Sequence, residues 1–200
     1  MLKRTFDLVV AAIALALLAP IFLLIGVCIR ADSPGPVFFT QPRVGRHGVP
    51  FTIFKFRTMV DRPAARGLGI TVGADPRITR VGAWLRRTKL DELPQLLNVL
   101  VGHMSIVGPR PELARYVDLY PQDLARKILS VRPGITDEAA IEFSDEASLL
   151  AQAADPESFY ISEVLPQKVR LYAKYAQNHG LVTDFVLIFK TLRKLILTSR

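Results

Sequence analysis

The chain has 200 residues, a formal net charge of +8, a pI near 9.9 and a mean hydropathy of +0.27, with half of its residues hydrophobic. That length suits one domain with a modest core, and the charge points to an anionic partner: nucleic acid, phospholipid or a phosphorylated substrate. A single cysteine, Cys28, excludes an internal disulfide and a thiolate metal site, and the scattered His47, His103 and His179 lack the paired spacing of a zinc centre.

Phe6 to Ile29 is a run of 24 residues whose sole charge is Asp7. As one helix it would reach about 36 Å, enough for a hydrocarbon core of about 30 Å. It is too long for a signal peptide, and polar Arg30-Ala31-Asp32-Ser33-Pro34 follows instead of a small-residue cleavage site. Pro20 removes a backbone donor and clashes with the preceding turn. The run should therefore break into arms Leu8–Ala19 and Ile21–Ile29, about 18 and 14 Å long and each one leaflet deep. Lys3 and Arg4 lead, while Arg30, Arg43 and Arg46 follow, so the positive flanks carry no asymmetry. The expectation is a re-entrant membrane hairpin over residues 1–32, bent at Pro20, with both ends on one side. A kinked single span is the alternative.

Ser33-Pro34-Gly35-Pro36 is a stiff turn. Val37–Gln41 and Phe51–Met59 read as strands joined through Gly45 and Gly48, a β-hairpin. On the second strand Lys55 and Arg57 share a face with Phe51 and Ile53. They are either solvated edge charges or phosphate ligands held on a rigid strand. Asp61 to Thr71 reads as a mobile loop, Asp75-Pro76-Arg77 as a turn, and Thr79 to Thr88 as a basic helix around Trp84 carrying Arg80, Arg86 and Arg87.

Thr88 to Leu100 follows, with Asp91 and Glu92 ahead of an apolar helix. Between Arg30 and Lys89 there are 12 Lys/Arg and three acids, so the pair enters a basic field that should keep both carboxylates ionised. Pro94 suits a first helical turn, where acids are favoured by the dipole. Capping acids on a core helix is the plain reading. Neighbours on a helix point about 100° apart, which suits division of labour better than a shared proton. Arg110 then stands between Pro109 and Pro111, offered from an extended, stiff backbone for forked phosphate recognition.

From Glu112 to Glu163 the balance reverses to 11 acids and 4 bases. Arg132-Pro133-Gly134-Ile135-Thr136 reads as a turn, Ala147 to Ala154 as a short helix, and Tyr160 to Asn178 as a longer one closed at Gly180. Leu181 to Ser199 is a basic amphipathic helix, with Phe185, Ile188, Phe189, Leu192, Leu195 and Ile196 interleaved with Lys190, Arg193 and Lys194. It suits a core or an anionic membrane surface. The fold class expected is α+β: the membrane hairpin, then a mainly helical catalytic domain over residues 33–200 with a small β-hairpin.

Asp75-Pro76-Arg77-Ile78-Thr79-Arg80-Val81-Gly82, Leu90-Asp91-Glu92-Leu93-Pro94-Gln95-Leu96-Leu97-Asn98-Val99-Leu100 and Met104-Ser105-Ile106-Val107-Gly108-Pro109-Arg110-Pro111 together resemble the core motifs of bacterial sugar transferases, the monotopic polyprenol-phosphate phosphoglycosyl transferases. Lys55-Phe56-Arg57-Thr58-Met59 and Lys3-Arg4-Thr5-Phe6-Asp7 match as well. With no long multi-helix extension ahead of Lys3, the small catalytic form is expected. The resemblance implies transfer of a phosphosugar from a UDP-sugar to undecaprenyl phosphate at the cytoplasmic face of a bacterial inner membrane, releasing UMP. It implies Asp91 as a nucleophile forming an acyl phosphosugar, Glu92 with Asp91 as Mg²⁺ ligands, Arg110 on phosphate, and Arg86, Lys55 and Arg57 on neighbouring oxygens. Inner-membrane lipid is a further partner, a homodimer is compatible with the sequence, and nucleic acid is not expected.

The chain departs from the family pattern at three places. Ala19 precedes Pro20 where serine is common, His103 stands where aspartate is common, and Asp137–Phe143 replaces a Gly-Trp-Ala-Gln-type stretch. Sugar identity therefore does not carry over. Two readings compete with the enzyme. A membrane-tethered nucleic-acid binder would explain the charge, but no recognisable motif accompanies it. A scaffolding protein would be indifferent to Asp91→Asn.

Overall fold

The computed structural model describes residues 2–60, 71–73 and 75–198. All of the expected loop from Asp61 to Thr71 except Thr71 lies outside those residues.

Helix α1 (Leu2–Asp32) runs unbroken through Pro20, so the two-armed hairpin expected at that proline is replaced by one continuous helix. Packing explains the difference. Asp7, Ala11, Ala14, Leu15, Leu18, Phe22, Ile25 and Ile29 recur every three or four residues and touch the body along the whole helix. Exposed Pro20 lies on the other side, where its missing donor strips a hydrogen bond from the outer face only. Contacts on either side of the proline hold the inner face in register.

Both ends of α1 are tied to that body. Arg4 donates to the carbonyls of Val99 (2.8 Å) and Leu100 (3.2 Å), a cation at a helix C-terminus. Asp7 accepts from the Ser105 hydroxyl at 2.8 Å, and Lys3 meets Asp184 at 2.5 Å. At the far end Asp32 accepts from the Val81 amide at 2.9 Å. Val9, Ile13, Leu17, Ile21, Leu24 and Val27 remain exposed as an apolar outer stripe.

Strands β1 (Phe38–Val44) and β2 (Pro50–Phe56) pair antiparallel from Phe38↔Phe56 to Val44↔Pro50, as the hairpin reading expects. Helix α2 (Arg80–Thr88) is capped by the Thr79 hydroxyl, which accepts from the Gly82 amide at 3.0 Å. Lys89 then takes a left-handed conformation (φ 57°), ending α2. The chain turns through a 3₁₀ segment, Leu90–Glu92, into α3 (Gln95–Leu100).

The stretch read as a turn at Arg132–Thr136 is in fact extended. Strand β4 (Gly134–Thr136) lies parallel to β3 (Ser105–Val107). A Cβ on Gly134 would sit 2.0 Å from the Gly108 amide nitrogen, so the two backbones meet only because both residues are glycine. The remaining helices are α4 (Ala114–Val117), α5 (Gln122–Ile128), α6 (Glu138–Glu142), α7 (Glu146–Leu150), α8 (Pro156–Phe159), α9 (Leu165–Gln177) and α10 (Leu181–Thr198). Tyr116, Tyr160, Val169 and Tyr172 centre a core between α5 and α9. A second core packs α1 on β2 and α3 through Ala11, Phe51, Ile53, Leu96, Val99 and Met104. On α10, Leu187 faces inward while Phe185, Phe189, Leu192 and Ile196 face out.

Candidate active site

Three separate elements deliver charge to one place: β2 brings Lys55, the 3₁₀ turn brings Asp91 and Glu92, and the loop after β3 brings Arg110. The side chain of Asn98 fixes the first two relative to each other. It donates to the Thr52 carbonyl (2.7 Å) and accepts from the Phe54 amide (3.0 Å), so α3 acts as a third strand edge for β2. Parallel pairing of β3 with β4 sets the Arg110 loop, through the Gly108 amide on the Thr136 carbonyl (3.1 Å) and the Gly134 amide on the Pro109 carbonyl (2.9 Å).

Glu92 is fully engaged. Its Oε1 accepts from Lys55 Nζ (2.7 Å) and from an Arg110 guanidinium nitrogen (2.5 Å), and its Oε2 accepts from the other nitrogen of the same fork (3.3 Å). Burial opposes ionisation of Glu92, but Arg110 and Lys55 overcome it and hold the carboxyl well below its usual range. The Glu92 charge in turn raises Arg110 well above an ordinary arginine. Lys55 is lowered, because its desolvation outweighs the Glu92 attraction.

Asp91 is the opposite case. Burial pushes its pKa up, with Lys55 opposing and the Glu92 charge adding to the rise. Its Oδ1 is buried without a partner, yet the residue keeps 9% of its surface open. Adjacent carboxylates are thus driven apart: Glu92 is held in its charged form by cations, while Asp91 is more basic and keeps an oxygen without a partner. The basic field expected to keep both acids ionised does so for Glu92, whereas at Asp91 burial outweighs the nearby cations and raises the pKa.

Arg86 faces the same locale, with Asp91 as the largest charge acting on it; burial lowers its pKa. It donates to the hydroxyls of Thr58 (2.8 Å) and Thr71 (3.1 Å). Arg57 goes elsewhere. Its guanidinium donates to the carbonyls of Pro34, Ser33 and Ile29, closing the C-terminal end of α1, and the side chain is buried. The strand ends at Phe56, so the shared face read for Lys55 and Arg57 stops at Lys55.

Sequence reasoning passed over Gln95, which is fully buried one helical turn after Asp91 with both amide atoms unpartnered. Asp137, which the sequence reading singled out only as part of the stretch departing from the family pattern, is buried, and burial pushes its pKa up to about 6. Polar residues inside an apolar run are the signal that could have found Gln95 and Asn98.

A divalent cation can be tested against these groups. Hard cations such as Mg²⁺ take one or two carboxylates together with substrate phosphates. The free Asp91 Oδ1 fits that chemistry, whereas both Glu92 oxygens already accept from cations. His103 is exposed and stacks loosely near Phe51 (centroids 5.5 Å apart).

A carboxylate with an unpartnered oxygen, set beside a forked and a point cation, suits an anionic ligand. The chain belongs to the bacterial sugar transferase family, whose family model matches residues 1–198. It is similar to the UDP-N-acetylgalactosamine-undecaprenyl-phosphate N-acetylgalactosaminephosphotransferase of Aeromonas hydrophila, at 36% identity over 98% of this chain and 44% of that protein. It is also similar to the UDP-glucose:undecaprenyl-phosphate glucose-1-phosphate transferase of Caulobacter vibrioides, at 38% over 98% of this chain and 70% of that protein. The uncharacterized sugar transferase EpsL of Bacillus subtilis is 37% identical over 99% of this chain and 89% of its own length. The chain thus spans less than half of the Aeromonas protein and most of EpsL.

Proposed function

We propose that the protein transfers a phosphosugar from a UDP-sugar to undecaprenyl phosphate, through a covalent intermediate on Asp91. The observation that carries this reading is the contrast within the carboxylate pair: Glu92 locked by Lys55 and Arg110, Asp91 more basic and left with a free oxygen. The donor and acceptor classes are those by which the Aeromonas and Caulobacter relatives are named.

In the first step an Asp91 oxygen attacks the phosphorus that bears the sugar. The P–O bond to the bridging oxygen breaks, and UMP leaves with the electron pair. In the second step an acceptor phosphate oxygen attacks the same phosphorus, the acyl–phosphate bond breaks, and the Asp91 carboxylate is restored beside a polyprenyl diphosphosugar. Splitting one transfer in two lets a soluble donor and a lipid acceptor use one site in turn. The spare N–H groups of Arg110 and Lys55 receive the diphosphate oxygens, and Arg86 adds its charge near Asp91. Mg²⁺ bound by Asp91 and the donor diphosphate, with Glu92 close by, would neutralise charge that builds on the leaving phosphate.

Anchoring of both ends of α1 on one body supports a monotopic placement. A bilayer between the two ends would have to part α1 from the contacts that run along it. The exposed stripes of α1 and α10 then meet the lipid, on the cytoplasmic face where nucleotide sugars are made.

Intact-protein mass after mixing with Mg²⁺ and a panel of UDP-sugars, acceptor omitted, tests the reading. A gain of one phosphosugar supports it. No adduct with any donor, together with no UMP release when undecaprenyl phosphate is added, sinks it.

A further inference from the structure

Arginines from three distant parts of the chain converge at the turn that follows α3. Arg4 donates to the carbonyls of Val99 and Leu100 at 2.8 and 3.2 Å, and Arg132 Nε donates to the Gly102 carbonyl at 2.9 Å. Gly102 takes φ 94°, and a Cβ on it would lie 3.4 Å from Arg4 Nη2, so the two guanidinium groups flank one residue. Arg46 Nε donates to the Ser130 carbonyl at 2.7 Å, two residues before Arg132. All of these partners are backbone carbonyls. Among the described residues no carboxylate pairs with Arg4, Arg46 or Arg132.

The three charges also act on one another. Burial lowers the Arg132 pKa, and the charges of Arg4 and Arg46 lower it further. Asp7 opposes them, but its carboxylate is taken by the Ser105 hydroxyl and the Ile106 amide. Cations gathered without a counter-charge suit an anion from outside the chain. The carboxylate pair answers to a different set of cations, namely Lys55, Arg86, Lys89 and Arg110.

The surroundings choose among anions. Val101, beside Gly102, is 64% exposed, and Leu2, two residues before Arg4, is 78% exposed. Leu2 stands seven residues, or about two helical turns, ahead of Val9 in the outer stripe of α1. Exposed aliphatic side chains add nothing to the binding of a soluble phosphate. They suit a lipid whose phosphate meets the arginines and whose acyl chains run onto that stripe. A zwitterionic headgroup would bring a further positive charge to the cluster, whereas an anionic one brings none.

We propose that Arg4, Arg46 and Arg132 form a headgroup site for an anionic glycerophospholipid at the start of α1, separate from the carboxylate pair. This rests on the membrane placement of α1 given above.

The protein in uncharged detergent micelles is titrated with phosphatidylglycerol or with phosphatidylcholine of the same chain length, and retained lipid is counted by native mass spectrometry. Phosphatidylglycerol should be retained in preference. Arg46→Gln should weaken that retention about fivefold, which corresponds to the roughly 1 kcal/mol of one cation at an anionic surface. Arg132→Gln should weaken it at least as much; if that variant fails to fold, exposed Arg46 still decides the matter. Equal retention of the two lipids, or unchanged retention in Arg46→Gln, overturns the site. Displacement of the lipid by millimolar inorganic phosphate would make this a site for free anions, and displacement by oligothymidylate a site for nucleic acid; either result overturns the lipid assignment.

Phosphatidylglycerol with a diazirine at the top of one acyl chain gives the position. It should label residues 99–104, and label confined to the outer faces of α1 and α10 counts against the site. If vesicles of neither lipid hold the protein, the membrane placement fails instead, and the micelle titration still decides the headgroup site.

Discussion

Two buried polar clusters in this protein look alike in composition and differ in completeness. At the start of α1, Lys3, Asp7, Ser105, Tyr175 and Asp184 form a clasp. Lys3 meets Asp184 Oδ2 at 2.5 Å and Val107 O at 3.2 Å, Asp7 accepts from Ser105 and the Ile106 amide, and the Tyr175 hydroxyl lies 2.7 Å from Asp184 Oδ1. None of its buried polar atoms lacks a partner. Around Asp91 the same ingredients leave the Asp91 Oδ1 and both amide atoms of Gln95 unpartnered. An unmet buried polar atom costs about 1–3 kcal/mol. The clasp is closed and joins α1, β3 and α10, whereas the cluster around Asp91 leaves unpartnered the Asp91 oxygen that the proposed function assigns to a ligand.

The largest effect should come from Asp91→Asn. UMP release should fall by at least about 10⁴-fold, the scale of losing a nucleophile, and the phosphosugar mass adduct should vanish. Retained turnover would make Asp91 a capping acid after all. Arg110→Lys keeps the charge but loses the fork to Glu92, and kcat/KM for the donor should drop about 10²-fold, or about 2.7 kcal/mol. A near-normal value would show that Arg110 only neutralises Glu92.

In the clasp, Asp184→Ala strands Lys3 and should cost about 2–3 kcal/mol of stability, less than for a fully buried pair because Lys3 is 26% exposed. It should appear as a lower thermal midpoint, with the kinetics of the folded protein unaltered. Gln95→Leu should do the reverse. Removing two unpartnered atoms stabilises by about 1 kcal/mol while adduct formation slows about tenfold. A loss of stability together with normal kinetics would make Gln95 part of the scaffold.

The smallest effects are on pH dependence. Asp91 must lose its proton to react, so the rate should rise with pH through a pKa above the usual aspartate value, burial being the main cause. Lys55 must keep its proton, so the rate should fall as pH rises through a pKa below the usual lysine value. Lys55→Arg should move that alkaline limb upward, because guanidinium does not titrate in this range. An unmoved limb would assign it to another group.

The local pieces were legible because they depend on near neighbours in the chain. The arginines around Trp84 announced α2, two apolar runs joined through Gly45 and Gly48 announced β1 and β2, and two acids in a basic field announced the candidate site. The strand β4 was not legible, since Arg132–Thr136 carries turn residues and becomes extended only against β3. Arg57 could not be told from Lys55 in the sequence, because its partners are carbonyls at the end of α1, 23 to 28 residues earlier.

The sequence by itself carried the family resemblance in its motifs, set Asp91 beside Glu92 and made α1 apolar, all of which depend only on which residues stand where along the chain. Tertiary structure decided that α1 stays whole through Pro20, that Glu92 rather than Asp91 receives Lys55 and Arg110, and that Arg57 leaves the site. Each of these depends on which distant groups reach a buried atom. That is set by packing over long sequence separations, where desolvation makes every unmet charge costly.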